Sequence, residues 1–283
     1  MAFNENDKVN GEPAREPGNI FPSRGEALGV LMFTFFAFLV VGVIGESALG
    51  KVQIVVGELL VVVPAYFFSR WRKYDLTAVF RIRPVGWRIV MASFMIGLSM
   101  TIVADELDRL MGMLLPFPEE LAAVLKHLLI ASSFFDWLII FLGAVVLAGL
   151  FEEMLFRGFV QNALEQYGDV TRAILWTALL FAAFHVNPWW LAQIIVLGVI
   201  LGVLAWKSDS IIPGAIVHAI NNAISVVFIN VGENKIEIIE WHGHIHPLLL
   251  LAALAALVFS LRLFYQYCDE ESEIPTLINT SND

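Results

Sequence analysis

WLIIFLGAVVLAGLFEEMLFR, residues 137–157, is an apolar stretch that ends in two glutamates and an arginine. Its uncharged part, residues 137–151, has the composition of a membrane span, and the charges follow it without a polar linker. A charged side chain inside a bilayer costs at least a few kcal/mol, so it needs a partner, water or a function. The stretch therefore predicts a transmembrane helix that carries buried charge.

The three charged residues of this stretch have different prospects of pairing. Glu153 and Arg157 stand four residues apart and can pair along one face of a helix. Neighbouring helical residues point about 100° apart, so Glu152 faces another direction and lacks that cation. A buried carboxylate without a fixed cation is what a general base requires. Taken alone, the Glu153–Arg157 pair is most simply a structural ion pair that fixes the helix.

The composition is that of a membrane protein. Of 283 residues, 58% are hydrophobic and 16% charged, whereas soluble domains carry about 25% charge. The predicted fold class is all-α, a polytopic membrane protein of about eight transmembrane helices that enclose a polar intramembrane site. The spans are expected at about 27–46, 52–69, 89–104, 137–160, 170–186, 189–206, 211–230 and 247–265.

Charge and chain ends suggest the organisation around these spans. Residues 1–26 are expected to be a disordered cytoplasmic tail, residues 27–266 the helical domain with its motif core at about 130–230, and residues 267–283 a disordered acidic tail. No apolar signal-peptide region precedes the first span. If both termini are cytoplasmic, thirteen of the seventeen Lys and Arg residues lie on that side, so this orientation and a multi-pass location are expected. The net charge of −10 does not describe a nucleic-acid binder. Membrane lipid is the partner expected of the spans, and the oligomeric state stays open.

Further polar residues stand at membrane depth. His185 ends the segment FAAFH, and His218 and Asn222 lie one turn apart on one helical face. A turn near residues 167–169 is about sixteen residues from both Glu152 and His185, hence about 24 Å from each along α-helices. Antiparallel neighbours would therefore bring this carboxylate and this imidazole to the same depth.

Each residue also has a structural interpretation. Phe181 is expected to serve packing, and an intramembrane histidine is often a hydrogen-bonded structural residue. Asn222 is able to join two helices through an amide hydrogen bond, and Asn221 points elsewhere and is expected to do so. Glu58, a lone carboxylate in the second span, is interpreted as structural. The coincidence of several such groups at compatible depths is the stronger argument.

These residue types support amide hydrolysis. Glu152 and His185 are able to position and deprotonate a water for attack on a carbonyl. The tetrahedral intermediate needs fixed donors at about 2.7–3.1 Å from its negative oxygen, and a histidine N–H and an asparagine amide on one helical face would supply two. The single cysteine, Cys268, lies at the end of the last span, away from these groups.

The segments EEMLFRG at 152–158, FAAFH at 181–185 and HAINN at 218–222 resemble the EExxxR, FxxxH and HxxxN motifs of the CAAX protease and bacteriocin-processing (Abi, CPBP) family. That family includes the type II CAAX prenyl endopeptidases and proteins like lysostaphin resistance protein A. The likeness covers about residues 130–230, and the order and spacing of all three motifs agree.

The resemblance implies an eight-helix intramembrane endopeptidase of the glutamic type, acting on a lipidated or membrane-associated peptide or protein. Carried over by position, Glu152 activates the water with His185, and His218 and Asn222 form the oxyanion hole. Glu153 and Arg157 then form the supporting pair. No cofactor is expected, since no HExxH-type spacing is present, although two histidines and a glutamate are able to ligate zinc.

Other functions remain open at this point. The same charges suit a non-catalytic membrane scaffold, a bacteriocin-immunity protein, a metal-dependent version of the protease, or a solute carrier, which the lack of an internal repeat disfavours. His242, His244 and His246 alternate in a loop and would share one face of an extended segment, where they would bind a metal; Gly243 and Pro247 favour an ordinary loop.

Overall fold

The computed structural model describes residues 21–231 and 239–280, with the side chains of residues 44–47 and 274–280 left aside. Within these ranges the chain is almost entirely helical. The elements are α1 (Arg24–Leu49), α2 (Val52–Arg72), α3 (Leu76–Val79), α4 (Trp87–Leu114), α5 (Glu119–Leu129), α6 (Phe134–Gln166), α7 (Val170–Phe184), α8 (Leu191–Ser208), α9 (Ile212–Val231), β1 (Glu240–Trp241), β2 (His244–Ile245) and α10 (Pro247–Thr280).

Polar caps decide where several helices begin. The Ser23 hydroxyl accepts the backbone N–H of Glu26, and the Glu26 carboxylate accepts the N–H of Ser23, which forms a capping box at the start of α1. Ser133 accepts from the N–H of Asp136 at α6, and Asp169 accepts from the N–H of Arg172 at α7. These caps fix the polar ends of helices whose interiors are apolar.

Seven helices among the described residues are long and apolar enough to cross a membrane: α1, α2, α4, α6, α8, α9 and α10. The expected fifth span, 170–186, is instead the 15-residue helix α7, which is apolar but shorter than a full span. The protein is thus an all-α polytopic membrane protein, with seven spans of full length in place of the eight expected. Many large apolar side chains face outward, as lipid contact requires; Val43, for example, is 82% exposed.

Helices extend into parts of both expected tails. Residues 1–20 lie outside the described part, and α1 begins at Arg24, inside the tail expected at 1–26. At the other end, α10 continues to Thr280, within the tail expected from residue 267. Ion pairs support this helical segment, because Asp269 binds Lys207 at 2.5 Å and Glu270 binds Arg88 at 3.0 Å. These contacts give the acidic end of α10 partners on two neighbouring segments.

Helix α6 is the element around which the site is built. It contacts α1, α2, α7, α8 and α9. An α-helix was expected here, but residues 141–152 and 154–161 are π-helical, with i→i+5 hydrogen bonds. Such helices are rare and concentrate at functional sites. Because a π-helix advances less per residue, the 24 Å depth estimated for Glu152 from α-helical geometry is too large.

Candidate active site

Glu152 stands near the middle of α6 with a carboxylate that makes no ion pair with a permanent cation. The residue is 9% exposed, and within the described chain its buried Oε2 has no hydrogen-bond partner. Two imidazole nitrogens face this atom, Nε2 of His185 at 3.8 Å and Nε2 of His218 at 4.0 Å. The expected juxtaposition of Glu152 and His185 is therefore present, and His218 joins them.

The neighbouring Glu153 has the opposite surroundings. Its Oε1 accepts a hydrogen bond of 2.7 Å from Nη1 of Arg157, and both side chains are fully buried. The guanidinium also donates to the carbonyl of Gly198 at 3.2 Å and lies 4.2 Å from the centre of the Phe181 ring. A fully buried ion pair with these further contacts holds Glu153 in one place. The pairing expected from the i,i+4 spacing is observed.

His185 caps the C-terminus of α7, and its ring is fixed by the preceding turn. Its Nδ1 lies 2.8 Å from the carbonyl oxygen of Phe181. A carbonyl only accepts, so Nδ1 carries a proton and Nε2 is the nitrogen that faces Glu152. Val186 then takes a left-handed conformation (φ 49°), and the Asn187 side chain accepts the backbone N–H of Trp189. This turn ends the helix directly after His185.

His218 is placed by Glu153 and not by backbone. Its Nδ1 lies 3.3 Å from Oε1 of Glu153, the atom that also binds Arg157. The imidazole is 3% exposed. The Phe181 ring packs edge-on against both histidines, 4.7 Å from His185 and 5.7 Å from His218 between ring centres. Phe181 therefore contacts three site residues, Arg157, His185 and His218, which is more than the packing role expected from the sequence. The i,i+4 spacing between Phe181 and His185 is the sequence feature that indicates this contact.

Asn222 lies one turn beyond His218 on α9, but its side chain binds the backbone of α6. Its Nδ2 donates to the carbonyl oxygen of Ala144 at 2.9 Å. A primary amide has two N–H groups, so one remains for a ligand. Asn221 makes a long 3.5 Å contact to the Asn222 side-chain oxygen. Of the six predicted site residues, five form one connected cluster, and Asn222 is tied to α6 two turns before Glu152.

Small residues allow the helices of the site to approach closely. A Cβ on Gly214 would stand 2.6 Å from Oε2 of Glu153, and a Cβ on Gly149 would stand 3.1 Å from the carbonyl oxygen of Ala215. Glycine at 149 and 214 therefore lets α9 lie against the two glutamates of α6. The sequence did not single out these positions.

Glu58 is a buried carboxylate whose surroundings the sequence did not reveal. It lies on α2, is 9% exposed, and its Oε2 has no hydrogen-bond partner among the described residues. The charge of Glu152 acts on it electrostatically. When a single glutamate lies in an apolar run, the sequence does not indicate which neighbouring helix its side chain will face.

The described residues contain no group of three or more His, Cys, Asp or Glu side chains arranged to hold a metal ion. The alternating histidines of 242–246 are part of a hairpin and not of an extended segment. His244 binds Oε1 of Glu106 at 2.8 Å, His246 accepts the N–H of Leu248, and His242 lies in the turn with φ 53°. The three histidines therefore do not share one face, as the predicted metal binding by this loop would require.

Comparison with known proteins adds independent support for this region. Residues 134–224 match a family model described as "Rce1-like: Type II CAAX prenyl endopeptidase Rce1-like". At the family level, this match supports an intramembrane CAAX-type protease. All six predicted site residues lie inside the matched segment. Comparisons with curated proteins and with solved structures gave no match. The match over residues 134–224, which holds the helices that surround Glu152, thus supports membership of this integral membrane protein in the Rce1-like type II CAAX prenyl endopeptidase family.

Proposed function

We propose that this protein is an intramembrane endopeptidase that hydrolyses a peptide bond in a lipidated or membrane-associated peptide, with Glu152 as the base that activates water. The observation that carries the proposal is the contrast between two adjacent glutamates. Arg157 neutralises Glu153, whereas the buried Oε2 of Glu152 faces two imidazoles. A carboxylate in that position is free to take a proton.

The gap between Glu152 and His185 suits a water molecule. Their facing atoms are 3.8 Å apart, which is longer than a hydrogen bond and typical of polar groups that a water bridges. Both facing atoms are acceptors, so a water between them donates both of its protons and keeps a lone pair for attack. This arrangement positions the nucleophile without a serine, cysteine or threonine.

The proposed reaction has two balanced steps. The water oxygen forms a bond to the scissile carbonyl carbon while Glu152 takes one water proton, which gives a tetrahedral intermediate with a negative oxygen. The C–N bond then breaks, the carbonyl re-forms, and Glu152 returns the proton to the leaving nitrogen. Glu152 ends ionised, ready for the next water.

Two groups on α9 are proposed to stabilise the negative oxygen. Because the Nδ1–H of His218 points at Glu153, its Nε2 becomes a donor only when the imidazole is protonated, and the Glu153 carboxylate balances that charge. The second N–H of Asn222 supplies a further donor. Glu153 and Arg157 position His218 and do not touch the substrate.

Cleavage of a defined probe tests the proposal. The probe is an internally quenched peptide with a farnesylated cysteine fourth from its C-terminus, presented in vesicles beside its unlipidated twin. Wild type should cleave at least one of the two, and Glu152→Gln should lower turnover by about 10³-fold or more because no base remains. Glu120→Gln, an exposed carboxyl on α5, is the matched control. Equal turnover by Glu152→Gln would overturn the assignment.

Two further arms separate the alternatives. Wild type dialysed against a chelator should keep its rate; a loss that zinc restores would support the metal-dependent version. Membrane peptides from cells that carry wild type or Glu152→Ala should differ in abundance of at least one fragment. No cleavage of either probe together with identical peptide profiles would favour a non-catalytic scaffold or immunity protein.

A further inference from the structure

Glu58 is the strongest buried ionisable group that the proposed reaction does not use. A carboxylate in lipid needs a partner, and burial without one is among the most costly arrangements a side chain can take. Yet Glu58 is 9% exposed and has a buried oxygen that no donor in the described chain reaches. An ordinary interhelical contact would have satisfied that oxygen.

Helix α2, which carries Glu58, packs along the part of α6 that carries Glu152. At one end, a Cβ on Gly143 of α6 would stand 2.8 Å from the Ile54 side chain, and further along the Phe68 and Phe159 rings are 6.3 Å apart. The two helices therefore run side by side in the same direction. Glu58 lies one turn after Ile54 on the buried side of α2, and Glu152 lies between the two α6 contacts.

Other charges near α2 have partners of their own. Helix α2 packs against α1, α3 and α6. Helix α3 carries no charged residue, and the ion pairs on the described parts of the other elements are Glu26 with Arg72, Lys51 with Asp136, Glu153 with Arg157 and Glu165 with Arg81. Glu152 is the charge that acts on Glu58.

To ionise both of two neighbouring carboxyl groups in a low-dielectric site costs a large free energy, because the like charges repel. One proton held by the pair removes the repulsion and turns one carboxyl into an O–H donor. Such a donor would also serve an orphaned oxygen, because Oε2 of Glu58 and Oε2 of Glu152 both lack a donor in the described structure.

We propose that Glu58 is a positioning residue of the active site: it carries the proton of the Glu58–Glu152 pair and donates it in a hydrogen bond that keeps Glu152 ionised and correctly turned. Glu152, which faces the two imidazoles, is then the member free to act as the base. The catalytic part of this inference rests on the proposed function, whereas the shared proton does not.

A spectroscopic experiment tests the shared proton without any substrate. Infrared spectra of the purified full chain in lipid nanodiscs at neutral pH should contain a protonated-carboxyl band. The band should disappear in Glu58→Gln and remain in Ser69→Ala, a control on the same helix whose buried hydroxyl also lacks a partner in the described structure. Absence of the band in wild type, or its persistence in Glu58→Gln, would overturn the proposal.

The pH dependence of probe cleavage tests the positioning role. Glu58→Gln keeps a donor and should cleave within about threefold of wild type. The acidic limb of its profile, where the cleavage rate falls at low pH, should stay at the same pH as in wild type. Glu58→Leu removes the donor, so Glu152 should hold its proton more tightly and the acidic limb should move up by about one pH unit. An unmoved limb in Glu58→Leu would mean a structural role, and a downward shift would mean that Glu58 is ionised. A carboxyl band without cleavage in wild type would contradict the proposed function alone.

Discussion

Glu152 and Glu153 are adjacent and chemically identical, and their surroundings give them different roles. Glu153 is fully buried but has a cation 2.7 Å away and an imidazole on the same oxygen. Glu152 has a buried oxygen that faces two imidazoles across gaps of 3.8 and 4.0 Å. In a low-dielectric site such differences decide which carboxylate holds a helix and which is able to take a proton.

A residue-scale prediction concerns His218. If it stabilises the negative oxygen, His218→Ala should lower turnover of the cleaved probe by on the order of 10²–10³-fold, because a preorganised donor is lost. Ser225→Ala is the control, since that hydroxyl binds only the carbonyl of Asn221 on its own helix among the described residues. A loss of only a few-fold, with normal thermal unfolding, would assign His218 to packing.

At the scale of elements, the π-helical form of α6 and its own glycines work together. A π-helix is wider than an α-helix, so small residues on it let the neighbouring helices approach. Gly143 meets Ile54 of α2, Gly149 meets α9, and Gly158 meets the backbone of Phe80, where a Cβ would stand only 2.8 Å away. These close contacts let α2 and α9 pack directly against the part of α6 that carries Glu152 and Glu153.

An element-scale prediction follows for Gly214. The Cβ of Gly214→Ala would stand 2.6 Å from Oε2 of Glu153, so the carboxylate must move and disturb its bonds to Arg157 and His218. A carboxylate is the mobile end of a side chain, so thermal unfolding should change little while turnover falls by about tenfold or more. Gly112→Ala, where nothing lies within 4 Å, is the control. Unchanged turnover would show that the Glu153 position is not critical.

The whole molecule has two ends of different chemistry. Near the end of α6, Arg81 pairs with Glu165, and the basic residues 70–88 lie at this end. Near its start, Lys51 binds Asp136 and Asn230 binds the carbonyl of Leu129 in α5. His185, at the end of α7, adjoins the second end through Trp189, whose indole donates to the carbonyl of Pro116 at 2.9 Å. If the basic end is cytoplasmic, His185 lies nearer the opposite side of the membrane.

Cysteine labelling checks this orientation. The native Cys268 is buried, so wild type serves as the unlabelled control. Glu120→Cys on α5 and Thr77→Cys on α3 replace exposed residues near opposite ends of α6. In intact cells an impermeant maleimide should label Glu120→Cys at once and Thr77→Cys only after permeabilisation. The reverse order would place the end that carries α5 on the cytoplasmic side.

Local patterns in the sequence were sufficient for several features. The apolar runs predicted the spans because the thickness of a bilayer fixes how many apolar residues a helix needs. The i,i+4 spacing predicted the pairing of Glu153 with Arg157, and the turn near residues 167–169 predicted that Glu152 and His185 lie at one level. All of these depend on distances along one helix or one hairpin. The prediction of a full span at 170–186 overlooked the local cap at Asp169 and the turn at Val186, which limit α7 to a short helix. The extended α10 escaped such rules, because ion pairs with other segments support its acidic end.

The sequence by itself determined an apolar helical membrane chain, a buried Glu–Arg pair and the motif residues of a known family, because each of these follows from spacing within a single segment. Tertiary structure alone decided that His218 binds Glu153, that Asn222 binds the carbonyl of Ala144, and that Glu58 is buried with an oxygen that no donor among the described residues reaches. The physical reason is that these contacts join helices far apart in the chain, and close packing of wide and narrow helices determines which of their faces meet.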